Sequence, residues 1–295
     1  MRRILKILLA LALAGAAVFW WITRPQIAGP EVLAGLTPDL AQGEQVFFAG
    51  GCSSCHAAAE ATGEARLILS GGLALPSPFG TFVAPNISPS PAGIGGWSAL
   101  DLYNAMRNGV SPEGAHYFPA FPYASYVRAS AQDIVSLHAY MMTLPASDAP
   151  SKPHQVGFPF NIRRSLGAWK FLFLKPGWVL EAELNPAETR GRYLVEALGH
   201  CAECHSPRNL LGGTRSNLWM AGAPNPTGPG NIPNITPGKL LWSEADIAEY
   251  LSSGFTPEYD TAGGHMVNVI ANTSKLPASD RAAIAAYLKR VPALP

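Results

Sequence analysis

Two short motifs contain all four cysteines of this 295-residue chain. Both read Cys-x-x-Cys-His, and their residues are Cys52, Cys55 and His56 in the first copy and Cys201, Cys204 and His205 in the second. Thiols at this spacing form thioethers with the vinyl groups of haem, and the histidine that follows binds the iron from the proximal side. The pattern therefore predicts two covalently attached haem c groups.

Two other uses of paired cysteines fit the pattern less well. A zinc ribbon leaves about 15 to 20 residues between its cysteine pairs, whereas about 145 residues separate these two pairs. A disulfide gives no reason for a histidine at the same offset in both copies. Covalent haem attachment explains both the cysteines and the histidines.

The surroundings of the two motifs repeat along the chain. Each motif is preceded by a short helical pattern and followed by a Pro-Asn-Ile segment, a capped helix and a final helix. The matched positions are Pro85 and Pro233, the N-caps Ser98 and Ser243, and the helix ends Gly109 and Gly254. This order predicts an all-α fold of two tandem class I cytochrome c domains with long loops, preceded by one N-terminal transmembrane helix. The predicted segments are 1–24 for that helix, 37–145 for the first domain, 146–186 for the linker and 187–295 for the second domain.

The sixth iron ligand of each haem is expected in the loop between the last two helices of its half. In the second half this loop offers His265 and Met266. A thioether ligand raises the reduction potential and suits an electron carrier, so we predict Met266, with His265 as the alternative. In the first half the loop contains no methionine, and His116 is its strongest ligand. We predict His116, and Met106 or an open iron are the alternatives.

Arg208, just after the second motif, is predicted to pair with a haem propionate, because a guanidinium suits a carboxylate; an exposed arginine is the alternative. Between the halves, residues 158–174 are basic and aromatic and too short for a second membrane span. This segment is expected to pack between the domains, or to contact the membrane surface or a partner subunit.

The N-terminus combines three basic residues, Arg2, Arg3 and Lys6, with an apolar run that ends at Ile22. A cleaved signal peptide and a retained anchor both fit such a run. The aromatic cluster at residues 19–21 suits the interfacial belt of a spanning helix, so we predict an uncleaved anchor. The preceding basic residues place the N-terminus in the cytoplasm, and therefore the haem domains in the periplasm of a bacterial inner membrane, with a single pass.

The charge of the chain bears on its partners. Only 14% of the residues are charged, and the formal net charge is +1. Binding to nucleic acid needs a concentrated basic surface, so this composition argues against a nucleic-acid partner.

Taken with the anchor and the two haem motifs, the paired Pro-Asn-Ile segments and the stretch from His116 to Tyr123 resemble membrane-anchored dihaem cytochromes c. The chain is similar to the cytochrome c subunits of bacterial periplasmic alcohol, gluconate and aldehyde dehydrogenase complexes. This resemblance implies a catalytic dehydrogenase subunit as partner and quinone, a soluble cytochrome or an oxidase as electron acceptor. Two features depart from the pattern: the alcohol dehydrogenase subunits typically carry three haems, and Phe121 replaces the methionine of their Pro-Ala-Met-Pro-Tyr segment.

The sequence therefore predicts an electron-transfer subunit with no substrate chemistry of its own. The alternative is a dihaem enzyme, such as a peroxidase with an open first haem. A thiosulfate-oxidising cytochrome fits less well, because no cysteine is left as an iron ligand. A haem-based sensor or an assembly scaffold is a third hypothesis, but nothing in the sequence resembles an output domain.

Overall fold

The computed structural model describes residues 1–226 and 228–295, and most of its regular structure is helical. Numbered in chain order, the helices are α1 (Arg2–Ile22), α2 (Leu40–Ala49), α3 (Cys52–His56), α4 (Ala99–Asn108), α5 (Tyr123–Tyr126), α6 (Ala131–Met141), α7 (Ser165–Phe173), α8 (Pro186–Arg192), α9 (Ala202–His205), α10 (Glu244–Ser253), α11 (His265–Thr273) and α12 (Ala278–Leu288). Shorter 3-10 turns lie at Pro30–Leu33, Gly63–Leu67 and Ser216–Leu218, and a π-helical segment lies at Tyr193–Leu198. The predicted mostly helical character is confirmed.

Two small antiparallel hairpins lie in the regions that the sequence predicted as long loops. The strands are β1 (Ala74–Ser77) with β2 (Gly80–Val83), and β3 (Ala223–Pro224) with β4 (Asn231–Ile232). The first hairpin pairs Ala74 with Val83, and the second pairs Ala223 with Ile232. The all-α expectation did not include these strands.

Helix α1 lies outside the packed core, apart from its C-terminal end, which contacts α7. It has 21 residues and a mean hydropathy of 2.1, and none of its residues is buried inside the protein. Its length and composition are enough to cross a membrane, and a signal sequence near an N-terminus meets the same description.

The helix ends that the sequence predicted in each half are confirmed. Ser98 and Ser243 each accept a hydrogen bond from the backbone three residues on, and the aspartate at that position completes a capping box. Gly109 and Gly254 end the two helices in the left-handed conformation, with φ angles of 59° and 82°. The two halves therefore start and stop their third helices in the same way.

In each half, the helix that leads into the haem motif crosses the final helix at close range. A Cβ atom at Gly43 would collide with the carbonyl of Ser136 on α6, and one at Gly191 would collide with the carbonyl of Ala283 on α12. Both crossings need a glycine because the two backbones touch there. The apolar residues of both halves merge into one continuous core.

A buried carboxylate joins the two halves to the segment between them. Glu196, in the π-helical segment, accepts hydrogen bonds from the backbone amides of Val179 (2.7 Å) and Leu180 (3.2 Å). Its carboxylate also lies 3.7 Å from the guanidinium of Arg128 and accepts a hydrogen bond from the hydroxyl of Tyr287. Because these partners come from both halves and from the linker, Glu196 fixes their relative position.

Candidate haem sites

Both haem motifs begin at a residue in the left-handed conformation. Gly51 has a φ of 59° and precedes Cys52, and His200 has a φ of 40° and precedes Cys201. Such a residue ends the incoming helix and turns the chain into the next one. A side chain at the left-handed position is uncommon, and in the second motif it lets His200 reach across to the other half.

The two histidines predicted as proximal ligands, His56 and His205, are held by the two Pro-Asn-Ile segments. The Nδ1–H of His56 donates to the carbonyl of Pro85 (2.9 Å), and that of His205 donates to the carbonyl of Pro233 (2.8 Å). A carbonyl can only accept, so the proton lies on Nδ1 and the Nε2 lone pair is available to iron. Burial lowers the pKa of both histidines, which favours the neutral form that a metal needs.

These two carbonyl partners were missed at the sequence level, although the repeated Pro-Asn-Ile segment was the signal. In each copy the asparagine shapes the turn that presents the carbonyl. Asn86 Oδ1 accepts from the amide of Ser88, and Asn234 Oδ1 accepts from the amide of Thr236, both at 2.8 Å.

The cysteine environments suit thioether sulfur. Burial raises the pKa of the Cys52 and Cys201 thiols to about 12. Burial disfavours the charged thiolate that zinc binding requires, whereas a thioether carries no charge. The thiols therefore fit covalent haem attachment better than metal binding.

After the cysteines, the buried hydroxyl of Tyr123 is a second feature that bears on whether the residues fit haem. Its side chain is fully buried, and its hydroxyl has no hydrogen-bond partner among the residues that the structure describes. An unsatisfied buried hydroxyl costs about 1–3 kcal/mol. A haem propionate would satisfy a donor of this kind.

The second half reaches the first haem motif through α11. The hydroxyl of Ser53 donates to Asn272 Oδ1 (3.1 Å), and Asn272 Nδ2 donates to the hydroxyl of Ser54 (2.9 Å). Arg66 adds a hydrogen bond to Asn268 Oδ1 at 2.7 Å. The helix that begins with His265 and Met266 therefore ends on the two serines between Cys52 and Cys55.

The reverse contact joins the first half to the second motif. His200 Nε2 lies 3.3 Å from the carbonyl of Gly50, and the hydroxyl of Tyr126 donates to the same carbonyl at 3.2 Å. The rings of Tyr126 and His200 meet edge to face with centroids 5.6 Å apart. The two haem motifs are thus neighbours across the interface between the halves.

The predicted distal ligands have different surroundings. Met266 is partly buried near the start of α11, and its assignment stays a prediction. His116 is buried, donates from Nε2 to the carbonyl of Thr23 (2.8 Å) and accepts at Nδ1 from Lys170 Nζ (2.9 Å). Iron binding by His116 would break one of these bonds, and its assignment, like that of Met266, stays a prediction. The alternative Met106 is buried in the helical core.

The loop register offers a reason why His116 is not the counterpart of Met266. Val110 pairs with His116 as Phe255 pairs with Thr261. Phe121 lies five residues after His116, and Met266 lies five residues after Thr261. The equivalent position in the first half therefore holds a phenylalanine, whose ring packs 5.7 Å from that of Tyr126.

The predicted propionate partner Arg208 has other contacts in the structure. Its guanidinium donates to the carbonyl of Gly212 (2.8 Å) and forms an ion pair with Glu203, which lies between Cys201 and Cys204. The propionate contact of Arg208 stays a prediction, and its observed contacts close the loop after the second motif.

Comparison with known proteins agrees with this geometry. Residues 40–145 match the cytochrome c family. The chain is 59% identical to a dihaem cytochrome c-type protein of Cereibacter sphaeroides over the full length of both. It is 38% identical to the fructose dehydrogenase cytochrome subunit of Gluconobacter japonicus, over 96% of this chain and 58% of that protein. It is 36% identical to the alcohol dehydrogenase (quinone) cytochrome c subunit of Gluconobacter oxydans, over 86% of this chain and 55% of that protein. The chain thus spans little more than half the length of these two subunits.

Proposed function

Because the chain belongs to the dihaem c-type cytochromes and carries two covalently bound haem c groups, we propose that it is the electron-transfer subunit of a periplasmic dehydrogenase complex. In this proposal it passes electrons from a catalytic subunit to quinone, a soluble cytochrome or an oxidase. The names of the similar proteins support the first part, since they are cytochrome subunits of fructose, alcohol and gluconate dehydrogenases. The three candidate acceptors are those that the resemblance to such subunits implies.

The observation that carries the proposal is the contact between the two haem motifs. Bound haem supplies an iron that exchanges single electrons between its ferrous and ferric states. The chain's own residues hold the two sites side by side, through Asn272 on the serines of the first motif and through His200 on Gly50. Two adjacent haem sites suit the passage of single electrons from one iron to the other.

We propose a domain map of an anchor at 1–24, a first cytochrome domain at 37–145, a linker at 146–186 and a second domain at 187–295. The proposed anchor α1 has the length and apolarity of a bacterial inner-membrane span. The basic residues before it favour a cytoplasmic N-terminus and periplasmic haem domains.

Within the sites, we propose that Cys52, Cys55, Cys201 and Cys204 attach the haems and that His56 and His205 are the proximal ligands. The hydrogen bonds from Nδ1 to Pro85 and Pro233 support the two histidines. Met266 is the proposed distal ligand of the second haem. For the first haem we propose that this loop supplies no thioether, because Phe121 lies at the position that matches Met266.

The test is copurification followed by reduction with the fuel of the partner. The chain is tagged, extracted from its native membrane with mild detergent and examined for a bound dehydrogenase subunit. Addition of that dehydrogenase's substrate without oxygen should reduce both haems, as seen in the optical spectrum. The control is the chain freed of its partner, which the same substrate should leave oxidised. Reduction of the haems in the free chain by the substrate, or turnover of peroxide by the free chain, would favour an enzyme instead.

A further inference from the structure

The end of α1 is locked against α7, the helix between the two halves. Thr23, directly after α1, is fully buried. Arg164 donates to the hydroxyl of Thr23 (2.9 Å) and to the carbonyl of Trp20 (2.6 Å), and its guanidinium lies 4.0 Å from the ring centre of Trp20. The backbone of Gly167 packs directly on that of Thr23, where a Cβ atom would collide. The position of α7 relative to α1 is therefore fixed.

His116 adds a third tie to this junction. Its Nε2–H donates to the carbonyl of Thr23, and Lys170 of α7 donates to its Nδ1. The first cytochrome half, the last turn of α1 and α7 thus share one set of hydrogen bonds. If α1 crosses a membrane, α7 lies at the level where the chain leaves it.

The segment around this junction exposes large apolar side chains. Phe171 and Leu172 on α7 are 63% and 50% exposed, and Phe158, just before α7, is 82% exposed. Scattered exposed apolar residues are ordinary, but adjacent ones on one short segment mark a contact surface. The structure thus shows an apolar surface beside the base of α1.

A loop of the second half lies against α7. Leu210 is 97% exposed, and its neighbour Leu211 is tied to α7 because the indole of Trp169 donates to the Leu211 carbonyl at 2.9 Å. The ring of Phe173 packs against Gly213 in the same loop. We define the platform as Phe158, Phe160, Phe171, Leu172, Leu210 and Leu211.

Within residues 158–175 and 208–213 every charged residue is basic, and Glu203 pairs with Arg208 in the second of these segments. Arg24 follows the end of α1 and lies over the ring of Trp21 (5.1 Å), and Lys175 follows α7; both are exposed. Aromatic and basic side chains beside apolar ones are the composition of protein segments that lie in the headgroup region of a bilayer. Anionic headgroups attract such basic residues.

We propose that the platform lies in the headgroup region of the bilayer that α1 crosses and binds anionic phospholipid there. This inference rests on the proposed anchoring by α1. The membrane is favoured over a protein partner because the platform is continuous with the end of the span. Two attachments, α1 and the platform, would hold the haem domains at one height and tilt above the membrane.

The experiment uses the full chain in nanodiscs that contain a photoactivatable phospholipid in a mixture of phosphatidylcholine and phosphatidylglycerol. After illumination, lipid adducts are mapped by mass spectrometry. We expect adducts on α1, on residues 158–175 and on residues 208–213. Replacing phosphatidylglycerol with phosphatidylcholine should lower the adducts on the last two segments at least about threefold, since charge attraction is lost.

Variants sharpen the test. Phe171→Glu and Leu210→Glu should each lower the platform adducts at least about fivefold, because a carboxylate is poorly accommodated at a lipid contact. Leu241→Glu is the matched control, since Leu241 is 82% exposed and lies outside the platform; it should leave the adducts unchanged. The optical haem spectrum checks that each variant is folded.

The outcomes separate the platform from the anchor. Adducts on α1 without adducts on the platform would overturn this inference and leave the anchor intact. Absence of adducts from both would overturn the anchoring itself. Protection of the platform only when a dehydrogenase subunit is added would show that the surface binds a protein partner, which also overturns the inference.

Discussion

The two halves of the chain present their proximal histidines alike and build their distal loops differently. His56 and His205 donate to matching proline carbonyls at nearly equal distances, 2.9 and 2.8 Å. In the distal loop, by contrast, His116 contacts Thr23 and Lys170, whereas its counterpart Thr261 pairs with Phe255 of its own loop. The repeat has thus kept what attaches a haem and changed what surrounds it.

The two distal loops also have different structural roles. The loop of the first half, through His116, is tied to the end of α1 and to α7, whereas the loop of the second half leads into α11, which contacts the other haem motif. One loop therefore positions the molecule relative to its N-terminal helix, and the other joins the two haem sites. Variants that replace matched residues in each half, one half at a time, measure how far the two copies have diverged.

The largest effect is expected from removal of one cysteine pair. The double variants Cys52→Ala/Cys55→Ala and Cys201→Ala/Cys204→Ala each lose both thioethers of one site, so each should retain a single haem. Because both motifs line one continuous core, loss of either haem should also lower the free energy of unfolding by about 3–5 kcal/mol, as removal of a large aromatic group from a core does. Intact mass and thermal unfolding by circular dichroism measure the two effects. A variant that still carries two haems would contradict the site assignment.

The next largest effect is expected from an exchange of distal residues. Met266→Ala removes the proposed thioether, so the potential of the second haem should fall by something on the order of 0.1 V, within the range that axial ligands span. Phe121→Met should raise the potential of the first haem and add the methionine–ferric iron absorption band. Spectroelectrochemistry resolves both.

Two results would contradict this picture of the distal loops. A wild-type first haem that already shows the methionine band would mean that another methionine reaches it. A Met266→Ala variant with unchanged spectra would remove the proposed ligand of the second haem. Leu241→Ala, an exposed substitution outside both loops, is the control.

The comparison shows which parts of the site a sequence can predict. The haem motifs, the capped helices at Ser98 and Ser243 and the repeated Pro-Asn-Ile segments depend on neighbouring residues, and local patterns reveal them. Whether His116 is free to bind iron depends on its contacts with Thr23 and Lys170, which lie 93 and 54 residues away. A histidine in such a loop has the same local sequence whether it binds iron or holds neighbouring segments together. Local patterns therefore cannot distinguish these two roles.

The strands and the linker helix were missed for a related reason. The hairpins are four and two residues per strand, too short for a period-2 pattern, and two of the four strands contain proline. Helix α7 has no side-chain cap at its start, and two of its apolar residues, Phe171 and Leu172, are exposed. Its position follows from its contact with the end of α1 rather than from its own sequence.

A smaller effect, equal in the two halves, is expected at the helix crossings. Gly43→Ala and Gly191→Ala each place a methyl group against a backbone carbonyl of the final helix. Each should lower the free energy of unfolding by about 1–3 kcal/mol, the usual cost of overpacking. Gly96→Ala is the control, because a Cβ atom there meets nothing within 4 Å. Thermal unfolding measures all three, and a loss in one half alone would show that the two crossings are not equivalent.

The smallest effect on the haems is expected from His116→Ala, which tests directly how the first loop differs from the second. The substitution leaves the carbonyl of Thr23 without its donor, so the free energy of unfolding should fall by about 1–3 kcal/mol. The spectrum and potential of the first haem should stay those of wild type, because both ring nitrogens of His116 serve the junction with α1 and α7. His116→Gln, which keeps a donor to Thr23, should recover part of the lost stability and leave the spectrum unchanged. Loss of a low-spin spectrum in both variants would instead make His116 an iron ligand, and the two distal loops would then differ in the kind of ligand rather than in their structural role.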